Sequence, residues 1–202
     1  MSKIDLKNIS HSYNPNDPNP TYALNPFSMT WENGKRYAIL GPSGCGKTTM
    51  LNIVSGLVRP SAGNILFDDK DVTNLKTESR NIAQVFQFPV IYNTMTVYEN
   101  LAFPLKCRDF LKDKIEERVN SVADTLNLKS FLNSPARKLT ADQKQLISLG
   151  RGLVREDVAA VLMDEPLTVI DPDLKFRLRR KLKEINEEFK TTLVYVTHDQ
   201  NE

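Results

Sequence analysis

Residues 4–9 alternate apolar and polar side chains, and residues 31–40 form a second apolar run that ends against a glycine; both patterns predict short strands. Between them residues 14–20 read NPNDPNP, where prolines remove backbone donors and asparagines favour turns, so a loop is expected rather than a linker between domains. Residues 47–57 set Met50, Leu51, Val54 and Leu57 at helical spacing and stop ahead of Pro60. Strand-like stretches follow at residues 64–67 and 82–86.

Over residues 112–128, Ile115, Val119, Val122 and Leu126 recur every three or four positions among charges, the mark of one buried helical stripe. A second helix is expected over residues 142–155. Residues 159–163 are fully apolar and closed by Asp164 and Glu165, which suits a central parallel strand. A charged helix over residues 174–189, read as a solvated face, leads to a last strand at 192–196. Strands alternating with helices, with glycine-rich turns at strand ends, predict an α/β fold with a parallel sheet whose ligands sit at the carboxyl edge.

Composition narrows the function classes. The chain has 202 residues, enough for one domain with a modest insertion. Its 27 basic and 25 acidic residues leave a net charge of +2, so nothing in the charge argues for nucleic acid. Cys45 and Cys107 are too few and too far apart for a disulfide framework or a zinc site, which fits a reducing, intracellular setting. No apolar run approaches the roughly 20 residues that span a bilayer, and residues 1–10 lack a signal-peptide core. Direct membrane insertion is therefore not expected, and any membrane role must pass through a partner.

The chemistry is concentrated in a few segments. Residues 41–49 read GPSGCGKTT, the G-x-x-x-x-G-K-[ST] phosphate loop, placed after an apolar strand and at the start of a helix as that motif requires. Gly41, Gly44 and Gly46 let the backbone curl so that successive N–H groups of the loop Gly41, Pro42, Ser43, Gly44, Cys45, Gly46, Lys47, Thr48 and Thr49, in which Pro42 alone has none, face a phosphate, helped by the helix N-terminus. Lys47 would neutralise the β- and γ-phosphates and the Thr48 hydroxyl would ligate Mg2+. Asp164 and Glu165, after the strand at 159–163, supply the acidic half of such a site: Asp164 to hold Mg2+, Glu165 to polarise the attacking water.

With these motifs in this order, essentially the whole chain resembles the nucleotide-binding subunit of ATP-binding cassette (ABC) transporters. The resemblance implies a P-loop NTPase core of ABC type, with a mainly parallel sheet, antiparallel strands at the N-terminal side and a helical insertion. The core is expected at about residues 1–88 and 156–202, the insertion at about 89–155. It implies that Gln87 contacts Mg2+ and the attacking water, that His198 in VTHDQ contacts the γ-phosphate, and that Asp171 in LTVID crosses to the opposite subunit. Tyr13 is the residue expected to stack on adenine; Tyr22, after the proline-rich loop, is the alternative.

The family's LSGGQ signature corresponds here to Leu139, Thr140, Ala141, Asp142 and Gln143. Ala141 and Asp142 replace two glycines that let backbone amides approach the ATP of the opposite subunit. A degenerate signature beside an intact phosphate loop, Glu165 and His198 favours a heterodimer with a second ABC ATPase subunit over the alternative, a homodimer with two slow sites. Residues 86–106 resemble the corresponding region of bacterial importers for sugars, polyols and glycerol phosphates, the glycerol group above all. In those proteins this region docks a transmembrane permease subunit, here near Pro89, Val90, Ile91 and Tyr92, which implies a peripheral place on the cytoplasmic face of the inner membrane. The group continues past the histidine into a regulatory domain, so the chain is expected to be a fragment. The rival expectations are a soluble ABC ATPase and a regulatory module that holds ATP with little turnover.

Overall fold

A computed structural model describes residues 2–168, 170–171, 175–176, 178–180 and 192–198. In chain order the elements are β1 (Ile4–Ser12), β2 (Tyr22–Trp31), β3 (Arg36–Leu40), α1 (Lys47–Ser55), β4 (Ala62–Phe67), β5 (Lys70–Asp71), α2 (Thr77–Arg80), β6 (Ile82–Val85), α3 (Val97–Lys106), α4 (Lys112–Thr125), α5 (Ala141–Leu153), β7 (Ala160–Asp164) and β8 (Leu193–Thr197). They divide into two compact units: residues 1–84, 157–164 and 190–202, and residues 85–156 and 165–189.

The first unit carries two four-stranded sheets, ordered β2-β1-β4-β5 and β3-β8-β7-β6. The former is antiparallel; in the latter β3, β8 and β7 run parallel. Trp31, Ile4, Leu6, Ile9 and Ile65 from the first sheet, Leu51, Ile53 and Val54 from α1, and Leu162, Val194 and Val196 from the second form one buried cluster. Fully buried β7 accounts for the unbroken apolar run at 159–163. The C-terminus of α1 is closed by buried Arg80, whose Nη1 donates to the carbonyls of Ile53 (2.7 Å) and Val54 (3.0 Å). This answers the free carbonyls of a helix end with a cation, which also suits the negative end of the helix dipole.

The second unit is helical. The stripe Ile115, Val119 and Val122 of α4 is buried with Leu101 and Leu105 of α3 and Ile147 of α5. Gly150 permits this packing, since a Cβ there would lie 2.6 Å from Leu101 Cδ2. Buried Arg118 reaches from α4 to the carbonyls of Leu153 and Val154 and pairs with Glu156, so the end of α5 is closed in the same manner as α1.

Three expectations are corrected. Residues 31–40 are two strands, not one: β2 ends at Trp31 and β3 begins at Arg36 across a turn in which Lys35 N–H bonds the Glu32 carbonyl (3.2 Å) and Gly34 sits at φ 70°. Helix α1 stops at Ser55, with left-handed Gly56 (φ 85°) as its cap, rather than at 57. Helix α4 stops at Thr125 rather than 128, because Leu128 N–H turns back to the Ala123 carbonyl (2.7 Å). Strand β2 and helix α3 lay outside the predicted elements. The expected helix over 174–189 falls largely outside the described residues.

Candidate functional site

The first unit lines up three strand ends. Leu40 of β3 is registered with Thr197 of β8, and Asp164 of β7 with Val196 of β8. Neighbouring parallel strands lie about 5 Å apart, so Gly41, His198 and Asp164 leave the sheet along one carboxyl edge. Asp164 is buried and His198 exposed.

From that edge the phosphate loop curls into α1. Gly44 (φ 82°) and Gly46 (φ 92°) are left-handed, and Gly46 is the N-cap, with no side-chain cap on the helix. A Cβ at Gly46 would stand 2.3 Å from the Ala23 carbonyl, so this position admits glycine alone. Lys47 is buried, its Nζ donating to the carbonyls of Gly41 (2.7 Å) and Pro42 (2.8 Å). Its ammonium is thus held inside the loop by dipoles rather than by a carboxylate, a charge that a phosphate can answer. Cys45 has an exposed side chain, and its N–H donates to the Pro42 carbonyl (3.4 Å). Ser43 and Thr48 are exposed. The Tyr13 hydroxyl lies 3.1 Å from Thr49 Oγ1, and the ring, 66% exposed, stands edge-on to His11 at 4.6 Å. Tyr13 is therefore tethered to α1 with a ring face free, while Tyr22 stands on β2, paired with Ser12 of β1. Within this unit Thr48 and Asp164 offer hydroxyl and carboxylate oxygens, the hard donors that Mg2+ takes.

The second unit holds the remaining residues. Gln87 Nε2 donates to Glu165 Oε2 at 3.4 Å, and Thr168 Oγ1 approaches the same oxygen at 3.4 Å. Glu165 sits at φ 44°, a left-handed conformation that costs a non-glycine residue about 1–2 kcal/mol and is found where the surroundings dictate geometry. Thr140 is the N-cap of α5, accepting from Gln143 N–H, while Gln143 Oε1 accepts from Thr140 N–H. Asp142 occupies the first turn, where a carboxylate meets the positive end of the helix. Asp171 is exposed. Of the segment 88–92, Phe88, Val90 and Tyr92 are exposed large apolar residues.

Sequence reasoning missed three side chains of α5 that bond the backbone at Phe86, Val90 and Pro166. Gln145 Nε2 donates to the carbonyls of Pro166 (2.8 Å) and Phe86 (3.3 Å), Ser148 Oγ accepts from Val90 N–H (3.2 Å), and Arg151 Nη1 donates to the Val90 carbonyl (2.8 Å). Their spacing of three was the available signal, one polar row along a helix that also carries Asp142, Gln143 and Lys144 in its first turn.

A phosphate loop opening a helix, beside strand ends bearing Asp164 and His198, is matched by comparison with known proteins: a family profile described as ABC transporter covers residues 24–168. The chain belongs to the ABC transporter family, and is an ATP-binding domain of it. It is 38% identical over its whole length to the uncharacterised ABC transporter ATP-binding protein YcjV of Escherichia coli K12, 55% of which it spans. It is 40% identical over its whole length to the sn-glycerol-3-phosphate import ATP-binding protein UgpC of Cupriavidus metallidurans, spanning 54% of that protein. The chain thus covers about half the length of the curated relatives it matches. Among solved structures, the dimeric cassette MJ0796 in a post-hydrolysis state with ADP and Pi superposes with a TM-score of 0.86 at 28% identity, covering 98% of this chain and 89% of that one.

Proposed function

We propose that this chain is the ATP-hydrolysing cassette of an importer whose cargo is a small polyol, sugar or glycerol phosphate, and that it works opposite a different cassette. The observation that carries the ATPase reading is the phosphate loop itself, with Lys47 enclosed by the carbonyls of Gly41 and Pro42 at the mouth of α1. Mg2+, held by Thr48, Asp164 and Gln87, would neutralise the phosphate oxygens. Glu165 takes the proton of a water that attacks the γ-phosphorus, the bond to the β,γ-bridging oxygen breaks, and ADP and phosphate leave. Gln87, at 3.4 Å from the Glu165 carboxylate, orients that water, and His198 contacts the γ-phosphate. Tyr13 stacks on the adenine.

The start of α5 supports the asymmetric pairing. Thr140 and Gln143 spend their side chains on each other, and Asp142 lies in the first turn of α5, where on this reading a partner's γ-phosphate would approach. A carboxylate about 5 Å from a phosphate is repelled by roughly 3 kcal/mol per unit of phosphate charge at an effective dielectric near 20. The site that joins this chain's catalytic residues to a regular partner signature is then the working one, and Asp171 reaches that partner. The glycerol-3-phosphate import named for the Cupriavidus relative supports the cargo class, and residues 88–92 offer the apolar, aromatic surface that a permease subunit would cover. The cassette thereby sits peripherally on the cytoplasmic face of the membrane; among the described residues no helix is long and apolar enough to cross one.

Light scattering of the full chain carrying Glu165→Gln, with Mg-ATP, tests the pairing. The variant is expected to stay monomeric, and Asp142→Gly on top of it to close a dimer. A closed dimer formed with Asp142 in place overturns the heterodimer. The Asp142 carboxylate would equally suit a cassette that holds ATP without turning it over, and in that case Glu165→Gln loses no turnover.

A further inference from the structure

Gln145 is 0% exposed, and its amide nitrogen bridges two carbonyls: that of Phe86, which precedes Gln87, and that of Pro166, which follows Glu165. The orientation is fixed by chemistry. Reversing the amide would set its oxygen against both carbonyls, so the nitrogen must face them. The consequence is that Gln145 Oε1 is buried and, among the described residues, has no hydrogen-bond partner. Leaving an acceptor unsatisfied costs about 1–3 kcal/mol, which offsets much of what the two bonds from Nε2 contribute.

The geometry points to Gln145 as the positioning residue that sets the approach of the Gln87 amide to the Glu165 carboxylate. Its two hydrogen bonds clamp the backbone on the near side of each residue, one position away from Gln87 on one strand end and one position away from Glu165 on the other. The Gln87–Glu165 contact is 3.4 Å, long enough that small backbone shifts break it. Glu165 is moreover held in a left-handed conformation that its own residue type disfavours, and a clamp on the next carbonyl is a direct means of holding it there. Because Gln145 belongs to α5, the helix that begins with Thr140–Gln143 also fixes the geometry of the base. This inference rests on the reading of Glu165 as the general base.

The test reads geometry rather than turnover. In 15N spectra of the full chain at neutral pH, the two Gln87 side-chain N–H signals are expected to shift when Glu165→Gln replaces the carboxylate they face. In a Gln145→Met background, which keeps the length and loses both donors, the same Glu165→Gln replacement is expected to shift them at most half as far. Mg-ATP affinity of Gln145→Met, measured by fluorescence, should stay within twofold of wild type, which a general collapse of the fold would not allow. Retention of the full shift in the Gln145→Met background overturns the inference, and so does an equal loss of ATP affinity. A second reading needs no variant: both Gln145 side-chain protons should exchange with solvent at least a hundredfold more slowly than those of an exposed glutamine, and exchange at the free rate overturns the clamp. Failure of the base assignment is separate, since Glu165→Gln would then keep its turnover while the response of the Gln87 signals to Glu165 stands.

Discussion

The Arg151 guanidinium lies 4.5 Å over the ring of Tyr92 while its Nη1 donates to the Val90 carbonyl at 2.8 Å. Tyr92 also packs on Phe103 of α3 at 4.7 Å, and Val90 N–H is held by Ser148. One arginine therefore ties the exposed apolar segment 88–92 to α5. A cation–π contact is worth about 0.5–1 kcal/mol at such a site and a charge-assisted hydrogen bond about as much or more.

Arg151→Ala is accordingly expected to lower stability by about 1–2 kcal/mol and to speed amide exchange across residues 88–92, leaving the phosphate loop unchanged. Arg151→Lys keeps a charge but not the flat, stacking fork, and should recover only part of the protection. Hydrogen exchange followed by mass spectrometry checks both; unchanged exchange at 88–92 in Arg151→Ala would show that the segment is held by other contacts.

Tyr13 and Tyr22 can be separated by nucleotide affinity. Stacking of a base on an aromatic ring is worth about 1–3 kcal/mol, so Tyr13→Ala should weaken Mg-ATP binding by about 5- to 140-fold. Tyr13→Phe loses only the hydroxyl contact to Thr49 and should bind within about threefold of wild type. Tyr22→Ala should bind as wild type does. A titration with fluorescent ATP in which Tyr22→Ala is the weak binder would move the adenine to the other ring.

The difference between what could be read and what could not has physical causes. The phosphate loop was legible because its glycines answer a local demand: Gly44 and Gly46 are left-handed, and the surrounding strand and helix follow from apolar periodicity. Strand β7 was legible because burial on both faces leaves only apolar residues. Strand β2 was not, since most of its residues are exposed and Pro26 interrupts it, so neither alternation nor a continuous run survives. Helix α3 hides behind Pro104 near its end, although the capping box of Thr96 and Glu99 marks its start. The row of Gln145, Ser148 and Arg151 left a trace in its spacing, but the partners of Gln145 and Arg151 could not be read, because each reaches a backbone carbonyl more than 20 positions away, and carbonyls carry no sequence signal.

Gly44 and Gly46 make a matched pair for testing how the loop is built. Both have positive φ, but a Cβ at Gly44 meets nothing within 4 Å, whereas one at Gly46 meets the Ala23 carbonyl and Leu24. Gly44→Ala should cost only the strain of a left-handed alanine, about 1–2 kcal/mol, with ATP binding weakened but measurable. Gly46→Ala must also displace β2 backbone from α1, and is expected to cost more than about 3 kcal/mol and to abolish ATP binding. Urea denaturation and ATP titration of the two variants check the order; equal losses would mean that backbone strain alone governs the loop.

Asp5 provides a pH-dependent prediction far from the nucleotide. It is paired across β1 and β2 with Thr30, whose hydroxyl donates to its carboxylate at 2.6 Å, and it forms an ion pair with Lys3 at 3.0 Å. The Thr30 hydroxyl, aided by Lys3 and opposed by burial, holds the Asp5 carboxyl below its ordinary value. The folded state therefore binds this proton less readily than the unfolded chain, where an aspartate titrates near about 3.9. The resulting stabilisation is fully present above that value and is lost as pH falls through the lower, folded one. Asp5→Asn removes the titrating group, so the stability gap between wild type and variant should be constant from pH 7 to about 5 and narrow steadily below about 4. Thr30→Val should lower stability at neutral pH by about 1 kcal/mol and reduce the same pH dependence, because it removes the main cause of the shift. Urea midpoints measured from pH 7 to 2.5 decide the matter: a gap between wild type and Asp5→Asn that stays constant through the acid range would mean that Asp5 titrates alike in the folded and unfolded chains.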